Sequence, residues 1–484
     1  MVRPTGNLAA DVSDKAMRIE HETAPISGTV TETLAGFVVG RRDAPLPESV
    51  VREAKRLILQ GAGMTLAASG HSGGRVLTAW AAAAAAGGRC ASVLWSGATA
   101  TSEDATLVNA ALWYLLQLDP THSSSGVKPV GQAAAAALAE GEVTRAGGGD
   151  VLAAMVLGIE VGLVITTSLQ PSSYRDRGFT HMSLLGAVAA AVATCVLRGL
   201  SEQVTTNALG LAMITGGAGL GEQVGYLASA LNSGTGARAG VVAAQLAEAG
   251  ADAPPTAFDG EKGMLHAYST ETIEKTLETV ASLGSHWRIL ELSYQRYRGD
   301  STAPVLLDCV FGVLGQIAPE RRSAVDELHF TVNPLTQWMA EERHARWGAP
   351  RTDLRATADM PFLVASAWLT GATDAGEKSP SVLTNPATLT LRDRVTFESD
   401  ETLERRAARL EARFTDGTTV VTSVDAFHGS TLNPLSDDDI EQDFLAAATP
   451  HLSDAQAREI IDAAHALDRI ERIDEFTRLL RLTG

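Results

Sequence analysis

A chain of 484 residues exceeds the roughly 250–300 at which one hydrophobic core stops growing, so two domains are expected. Hydrophobic residues make up 45% and charged residues 20%, a globular balance, and a net charge of −18 makes nucleic acid and anionic membranes poor partners. Cys90, Cys195 and Cys309 are too scattered for a disulfide framework or a Cys-x-x-Cys ligand pair, so core roles, no metal and a cytoplasmic setting are expected.

Residues 1–28 include Asp11, Asp14 and Glu20 without an apolar stretch of signal-peptide type, and read as a disordered lead-in. From Thr29 onward Ala, Leu, Val and Gly dominate with helical spacing. Val50, Val51, Ala54, Leu57 and Ile58 form one apolar stripe behind Pro47, which suits a helix start. Residues 133–138, 150–164, 184–197 and 241–249 read as further helices, apolar nearly all round and therefore internal to a large bundle. The longest apolar run, residues 182–197, is shorter than the roughly 20 residues of a membrane span and reads as a buried helix.

Gly70-His71-Ser72-Gly73-Gly74 matches the spacing of a nucleophile elbow, but a helical pattern precedes it where that motif needs a strand, so it reads as a Gly-rich turn. Residues 216–221, rich in Gly, lack the Lys and Ser/Thr of a phosphate loop and read as a connection between helices. After about Trp287 the text changes. Residues 328–332, 387–395 and 410–424 are β-prone, the last broken by the Asp416-Gly417 hairpin signal, and residues 361–369 read as a helix. From the N-cap Ser436, with Asp438 and Asp439 behind it, the chain is helical again. The expected fold is mainly α: a discontinuous helical domain over residues 29–286 and 434–484, with a smaller α+β lid over 287–433.

Two polar islands interrupt the apolar helices. The first runs Leu118-Asp119-Pro120-Thr121-His122 and on to Lys128-Pro129. A carboxylate three residues from an imidazole can orient that ring for proton abstraction, and a nearby Lys can stabilise an enolate; the same Asp, Thr and His read equally as a capping cluster. The second island, residues 174–181, ends in Thr180-His181 at a helix N-terminus, where the dipole disfavours an imidazolium. A capping or core His fits that position as well.

With these residues in view, the chain resembles the MmgE/PrpD family of 2-methylcitrate dehydratases and cis-aconitate decarboxylases. The family's Asp-x-Asp-Asp-Thr-His and His-Pro segments are matched by Gln117 to His122 and by Lys128-Pro129. Its Gly-Phe-His-Pro-Thr segment is matched by Gly178-Phe179-Thr180-His181-Met182, and Asn-Ala-Leu-Gly-Ile-Ala by Asn207-Ala208-Leu209-Gly210-Leu211-Ala212. Phe258-Asp259-Gly260 to Met264 and Asn433-Pro434-Leu435-Ser436 complete the series, in order, over roughly residues 29–482. The resemblance implies a helical domain with an α+β lid, a homodimer, an active site between domains, and lyase chemistry on small polycarboxylates without a cofactor.

The departures are chemical. The family's Lys-x-x-His falls on Ser229 to Asn232, its Lys-Pro-Tyr-Pro on Leu292-Ser293-Tyr294-Gln295, and a following His near Ser301. Lost cations imply a less anionic substrate unless Arg238, Arg296 or Arg298 substitutes. The expected machinery is His122 as base, oriented by Asp119, with Lys128 at the enolate and His181 as acid. Thr121, Thr180, Asn232, Tyr294, Arg298 and Ser301 would bind the substrate. Dehydration or decarboxylation is the leading expectation. Isomerisation, epimerisation or cyclisation of an atypical substrate is the first alternative, and a non-catalytic binding dimer the second.

Overall fold

The computed structural model describes residues 28–83, 90–122, 124–170, 172–373 and 377–482, with the side chains of 343–346 left aside. The lead-in read over residues 1–28 lies, apart from Gly28, outside the described residues.

Side-chain caps from Thr29, Thr101 and Ser201 open three of the helices of the first part. Thr29 closes a capping box on Glu32 at the start of α1 (Val30–Arg42), and the Asp259 carboxylate accepts the Val30 N–H at 3.0 Å. After α2 (Glu48–Gly70) come α3 (Ser102–Leu115), α4 (Val130–Thr144), α5 (Gly148–Leu169), α6 (Met182–Leu197), α7 (Glu202–Thr215) and α8 (Leu227–Glu248). α8 packs along α6 and α3, and α6 along α5 and α4. Small residues permit this closeness. A Cβ at Gly240 would lie 2.1 Å from the Ala187 carbonyl oxygen, and one at Gly234 would lie 2.3 Å from that of Leu107. The longest apolar helix is α5, not residues 182–197; it has the length and composition to cross a bilayer, yet it is buried inside the helical core.

One continuous apolar cluster runs from Val30 through Leu292 and Tyr294, and is joined by Leu435 to Leu480. In the returning segment Ser436 caps the helix Asp437–Ala448, with Asp439 completing the capping box, and that helix packs against α2. A separate apolar cluster spans Ala303 to Phe427. It combines the helices Ala303–Leu314 and Met360–Thr370 with a four-stranded sheet, so the C-terminal part carries a small sheet on a largely helical protein.

Four two-residue strands matter later: β1 (Thr121–His122), β2 (Phe179–Thr180), β3 (Gly219–Leu220) and β4 (Leu292–Ser293). The sheet of the C-terminal part comprises β5 (Val325–Val332), β6 (Val395–Ser399), β7 (Ala408–Phe414) and β8 (Thr419–Val424), in the order β8-β7-β5-β6. β7 and β8 are the expected hairpin, turning at Gly417 with a φ of 82°. Residues 387–395 differ from expectation. They form a helix, Pro386–Arg392, before β6, because Asn385 accepts the Ala387 and Thr388 N–H groups and Pro386 presets the first turn.

The Gly70–Gly74 stretch joins two helices with His71 alone between them, so Ser72, Gly73 and Gly74 belong to the second helix rather than to a Gly-rich turn. Ser72 opens the helix Ser72–Ala83, its hydroxyl donating to Glu377 at 2.6 Å. His71 contacts Asp353 at 3.1 Å, which Arg298 also binds at 2.6 Å. That buried cluster ties the helical part to the C-terminal part.

Candidate active site

The first polar island is bent by Gln117, whose φ of 56° is uncommon for a residue with a side chain. The bend brings its carbonyl to Lys128 Nζ, which donates to it at 2.9 Å and to Asp119 Oδ1 at 3.0 Å. The same ammonium lies 5.7 Å from the centroid of the Tyr114 ring. Asp119 is 1% exposed. Burial raises its carboxyl above the ordinary value, and the charge and hydrogen bond of Lys128 work against that rise.

β1 pairs antiparallel with β4, placing Thr121 opposite Ser293 and His122 opposite Leu292. Successive strand residues face opposite ways. Thr121 Oγ1 accepts from Gln295 Nε2 at 2.7 Å, whereas the His122 ring turns to Glu291, 2.8 Å from Nε2, and to Ser125 Oγ, 2.8 Å from Nδ1. Asp119 therefore does not orient His122, contrary to the spacing argument. Lys128 takes the carboxylate, and Glu291, remote in sequence, holds the imidazole.

The second island is fixed by the antiparallel pair β2–β3, which sets Thr180 opposite Gly219. The Gly-rich residues 216–221 are thus a connection between helices that also supplies a strand. Thr180 Oγ1 accepts from Gln223 Nε2 at 2.8 Å and donates to Asn232 Oδ1 at 3.4 Å. His181 stands at the N-terminus of α6, and the Gln170 amide donates to its Nδ1 at 2.6 Å, leaving the ring proton on Nε2. Burial, with a smaller contribution from the Arg405 charge, lowers the His181 pKa from 6.5 to about 4. The ring is a neutral donor at physiological pH.

These segments meet at a cavity of about 410 Å³. Lys128, His181, Thr180, Ser125, Gln170 and Tyr174 line it from the helical part, and Asp300, Ser301, Met339 and Arg405 from the C-terminal part. A second cavity of about 430 Å³ adjoins it through Ser124, Ser301 and Arg405, and contains Thr121, Ser293 and Gln295. Arg405 lies over the Gly126 backbone, where a Cβ would come within 2.4 Å of its Nη1, and its Nη2 donates to Ser301 Oγ at 2.9 Å.

Of the residues expected from sequence, Lys128, His181, Thr180 and Ser301 line the first cavity and Thr121 the second. Asp119, His122 and Asn232 line neither, although each bonds to a residue that does. Tyr294 is a core residue, its hydroxyl donating to Glu53 at 2.6 Å and its ring under Arg56. Arg298 is committed to Asp353. Arg238 pairs with Asp104 and Arg296 with Asp443, so none of the three arginines replaces the lost cations. Arg405 lines the first cavity, together with Arg175 and Lys275.

The His181 shift has a consequence for stability. A folded-state value below 6.5 means that the neutral ring's contribution is complete above pH 6.5 and is lost as pH falls toward 4. Urea unfolding at about pH 7 and about pH 4.5 is expected to give a larger loss for wild type than for His181→Gln. Equal losses would contradict a neutral, enclosed ring.

Family models match both parts of the chain: the MmgE/PrpD N-terminal domain over residues 32–276 and the MmgE/PrpD C-terminal domain over residues 314–469. The chain belongs to the MmgE/PrpD family. Among its relatives, the cis-aconitate decarboxylase-like protein oryM of Aspergillus oryzae is 26% identical over 94% of this chain and 97% of its own length. Cis-aconitate decarboxylase of Aspergillus terreus is 25% identical over 78% of this chain and 80% of its own. The Mus musculus cis-aconitate decarboxylase is 22% identical over 94% and 93%. Membership and relatives together support a lyase-type enzyme of dehydratase or decarboxylase class. Within this MmgE/PrpD chain, the lost Lys-x-x-His leaves short neutral groups on α8: Ser229 donates to the Gln223 carbonyl at 2.9 Å, and Asn232 joins the Thr180 network.

Proposed function

We propose that the protein is a lyase of decarboxylase type acting on a small substrate with two carboxylates. The observation that carries this reading is the convergence of Lys128, His181 and Arg405 on one cavity between the two apolar cores. Arg405 offers a planar fork for an anchoring carboxylate. As a second carboxylate leaves as carbon dioxide, the electron pair left on carbon spreads into the neighbouring carbonyl or carboxylate. The Lys128 ammonium and the Nε2–H of neutral His181 face that developing charge, and Lys128 is the proton source for the carbanion. This sequence needs donors and cations at the reacting centre and no base there. His122, the base expected from sequence, stands behind Ser125, which favours carbon dioxide loss over C–H abstraction.

The cavity cations have acidic neighbours: Lys128 pairs with Asp119, Arg175 with Asp176 and Lys275 with Glu271, and the Asp300 charge acts on Arg405. That balance suits a less anionic substrate than a tricarboxylate. The test is carbon dioxide release from a panel of unsaturated and hydroxy-substituted mono-, di- and tricarboxylates, with cis-aconitate and 2-methylcitrate included. Turnover is expected on a smaller acid, with weak or no turnover of the two tricarboxylates. His181→Gln should lower kcat about 10²–10³-fold, the cost of one lost transition-state donor. Turnover that is undiminished in both His181→Gln and Lys128→Met would overturn the reading.

A further inference from the structure

We propose that Ser125 is an activated nucleophile, the outer member of a serine–histidine–carboxylate array formed with His122 and Glu291 that opens on the cavity and suits acyl transfer from a small carboxylate-bearing ester or thioester. Ser125 Oγ lies 2.8 Å from His122 Nδ1, and Glu291 Oε2 lies 2.8 Å from Nε2 on the far side of the ring. With the serine hydroxyl donating to Nδ1, the proton on Nε2 points at the carboxylate. That is the tautomer a general base needs, and such arrays are recognised by geometry and roles rather than by chain order. His122 is 2% exposed and lines neither cavity, whereas Ser125 lines the first, so the imidazole acts on a bound molecule only through that hydroxyl.

The backbone fixes the array from both ends. The pairing of His122 with Leu292 in β1–β4 places the adjacent Glu291 beside the ring. The His122 N–H donates to the Val127 carbonyl at 2.7 Å, and the Gly126 N–H donates to the His122 carbonyl at 2.8 Å, closing the loop that carries Ser125. Glu291 also accepts from His286 at 2.8 Å through its other oxygen. The His122 hydrogen bond, with help from His286, holds its pKa down to about 2, so Glu291 is ionised whenever the ring is neutral. Ser124 is the second hydroxyl near Nδ1, at 3.5 Å, and the shorter contact selects Ser125.

In the step, Ser125 Oγ attacks the acyl carbon while its proton passes to His122 Nδ1. The carbonyl electron pair moves onto oxygen, on the cavity wall shared by Lys128 and Arg405. Collapse expels the alkoxide or thiolate, which takes the proton from Nδ1. Water then attacks the acyl-serine by the same route, releasing the acid and restoring the hydroxyl.

The test is labelling of the full chain by diisopropyl fluorophosphate, followed by intact mass and peptide mapping. The expected result is one phosphoryl group per chain, on Ser125, absent in Ser125→Ala. Labelling should slow about 10²-fold or more in His122→Gln and about tenfold or more in Glu291→Gln, with recovery in Glu291→Asp, while thermal unfolding of the Glu291 variants stays near wild type. Hydrolysis of p-nitrophenyl acetate should follow the same order. No label on Ser125, label spread over several serines, or an unchanged rate in Glu291→Gln would overturn the proposal. Labelling consumes no lyase substrate, so its failure leaves the decarboxylase reading intact, and a negative carbon dioxide assay leaves this one intact.

Discussion

Replacing Arg405 by Ala is expected to raise KM about 10²–10³-fold for a carboxylate substrate, with a smaller change in kcat. A charge-assisted hydrogen bond contributes about 1.5–3 kcal/mol, so a two-bond fork amounts to roughly 3–6 kcal/mol, and at about 1.4 kcal/mol per tenfold the lower part of that range gives the stated change. An anchor that holds substrate and transition state alike acts on KM more than on kcat. Arg405→Lys should recover little, because an ammonium presents no planar fork. A second readout is independent of turnover. The Arg405 charge is one of the two causes that lower the His181 pKa, so in Arg405→Ala the ring should titrate above its value of about 4, by proton NMR. An unchanged KM together with an unchanged His181 titration would show that Arg405 faces neither the substrate nor the ring.

Arg405 was the part of the site hardest to read from sequence. It lies more than half the chain beyond Lys128 and sits in Glu401 to Arg409, a run of mixed charge with the pattern of a solvated edge. Only the packing of that segment over Gly126 turns it inward. Lys128 and His181 were legible because each is a polar group beside a long apolar helix, where a loop is held rather than free. Asp119 and His122 show where spacing misleads. Their separation suits a carboxylate–imidazole pair, but the left-handed turn at Gln117 presents Lys128 to Asp119, and β1 rotates His122 toward Glu291.

Tyr294 fails by the parity of an extended chain. Its neighbours Ser293 and Gln295 line the second cavity, while Tyr294 itself points into the core against Glu53. The segment borders a cavity, and the face that carries Tyr294 turns away from it. In the fold, caps and turns carried the most information. Thr29, Ser436 and Asp416-Gly417 each fixed an element boundary, and Asn385-Pro386 would have corrected the β-prone reading of residues 387–395 had its capping chemistry been weighed above side-chain propensity.

Lys128→Met is expected to destabilise the fold by about 3–5 kcal/mol at neutral pH, in addition to removing the proton source of the proposed reaction. Methionine fills much the same volume, so the cost is electrostatic: Asp119, 1% exposed, keeps a charge whose partner at 3.0 Å has gone. The sign with pH follows. Burial already holds the Asp119 pKa above 3.8, and losing Lys128 removes the opposing influence and raises it further. A raised carboxylate costs stability as pH rises above the unfolded value, so the variant should recover part of its deficit when urea unfolding is repeated at about pH 5. Asp119→Asn in the Lys128→Met background removes the stranded charge and should restore most of the loss, because replacing both members of a buried pair is often close to neutral. A double mutant no more stable than Lys128→Met alone would mean that Lys128 acts through the Gln117 carbonyl and the Tyr114 face, and that Asp119 is not its principal partner.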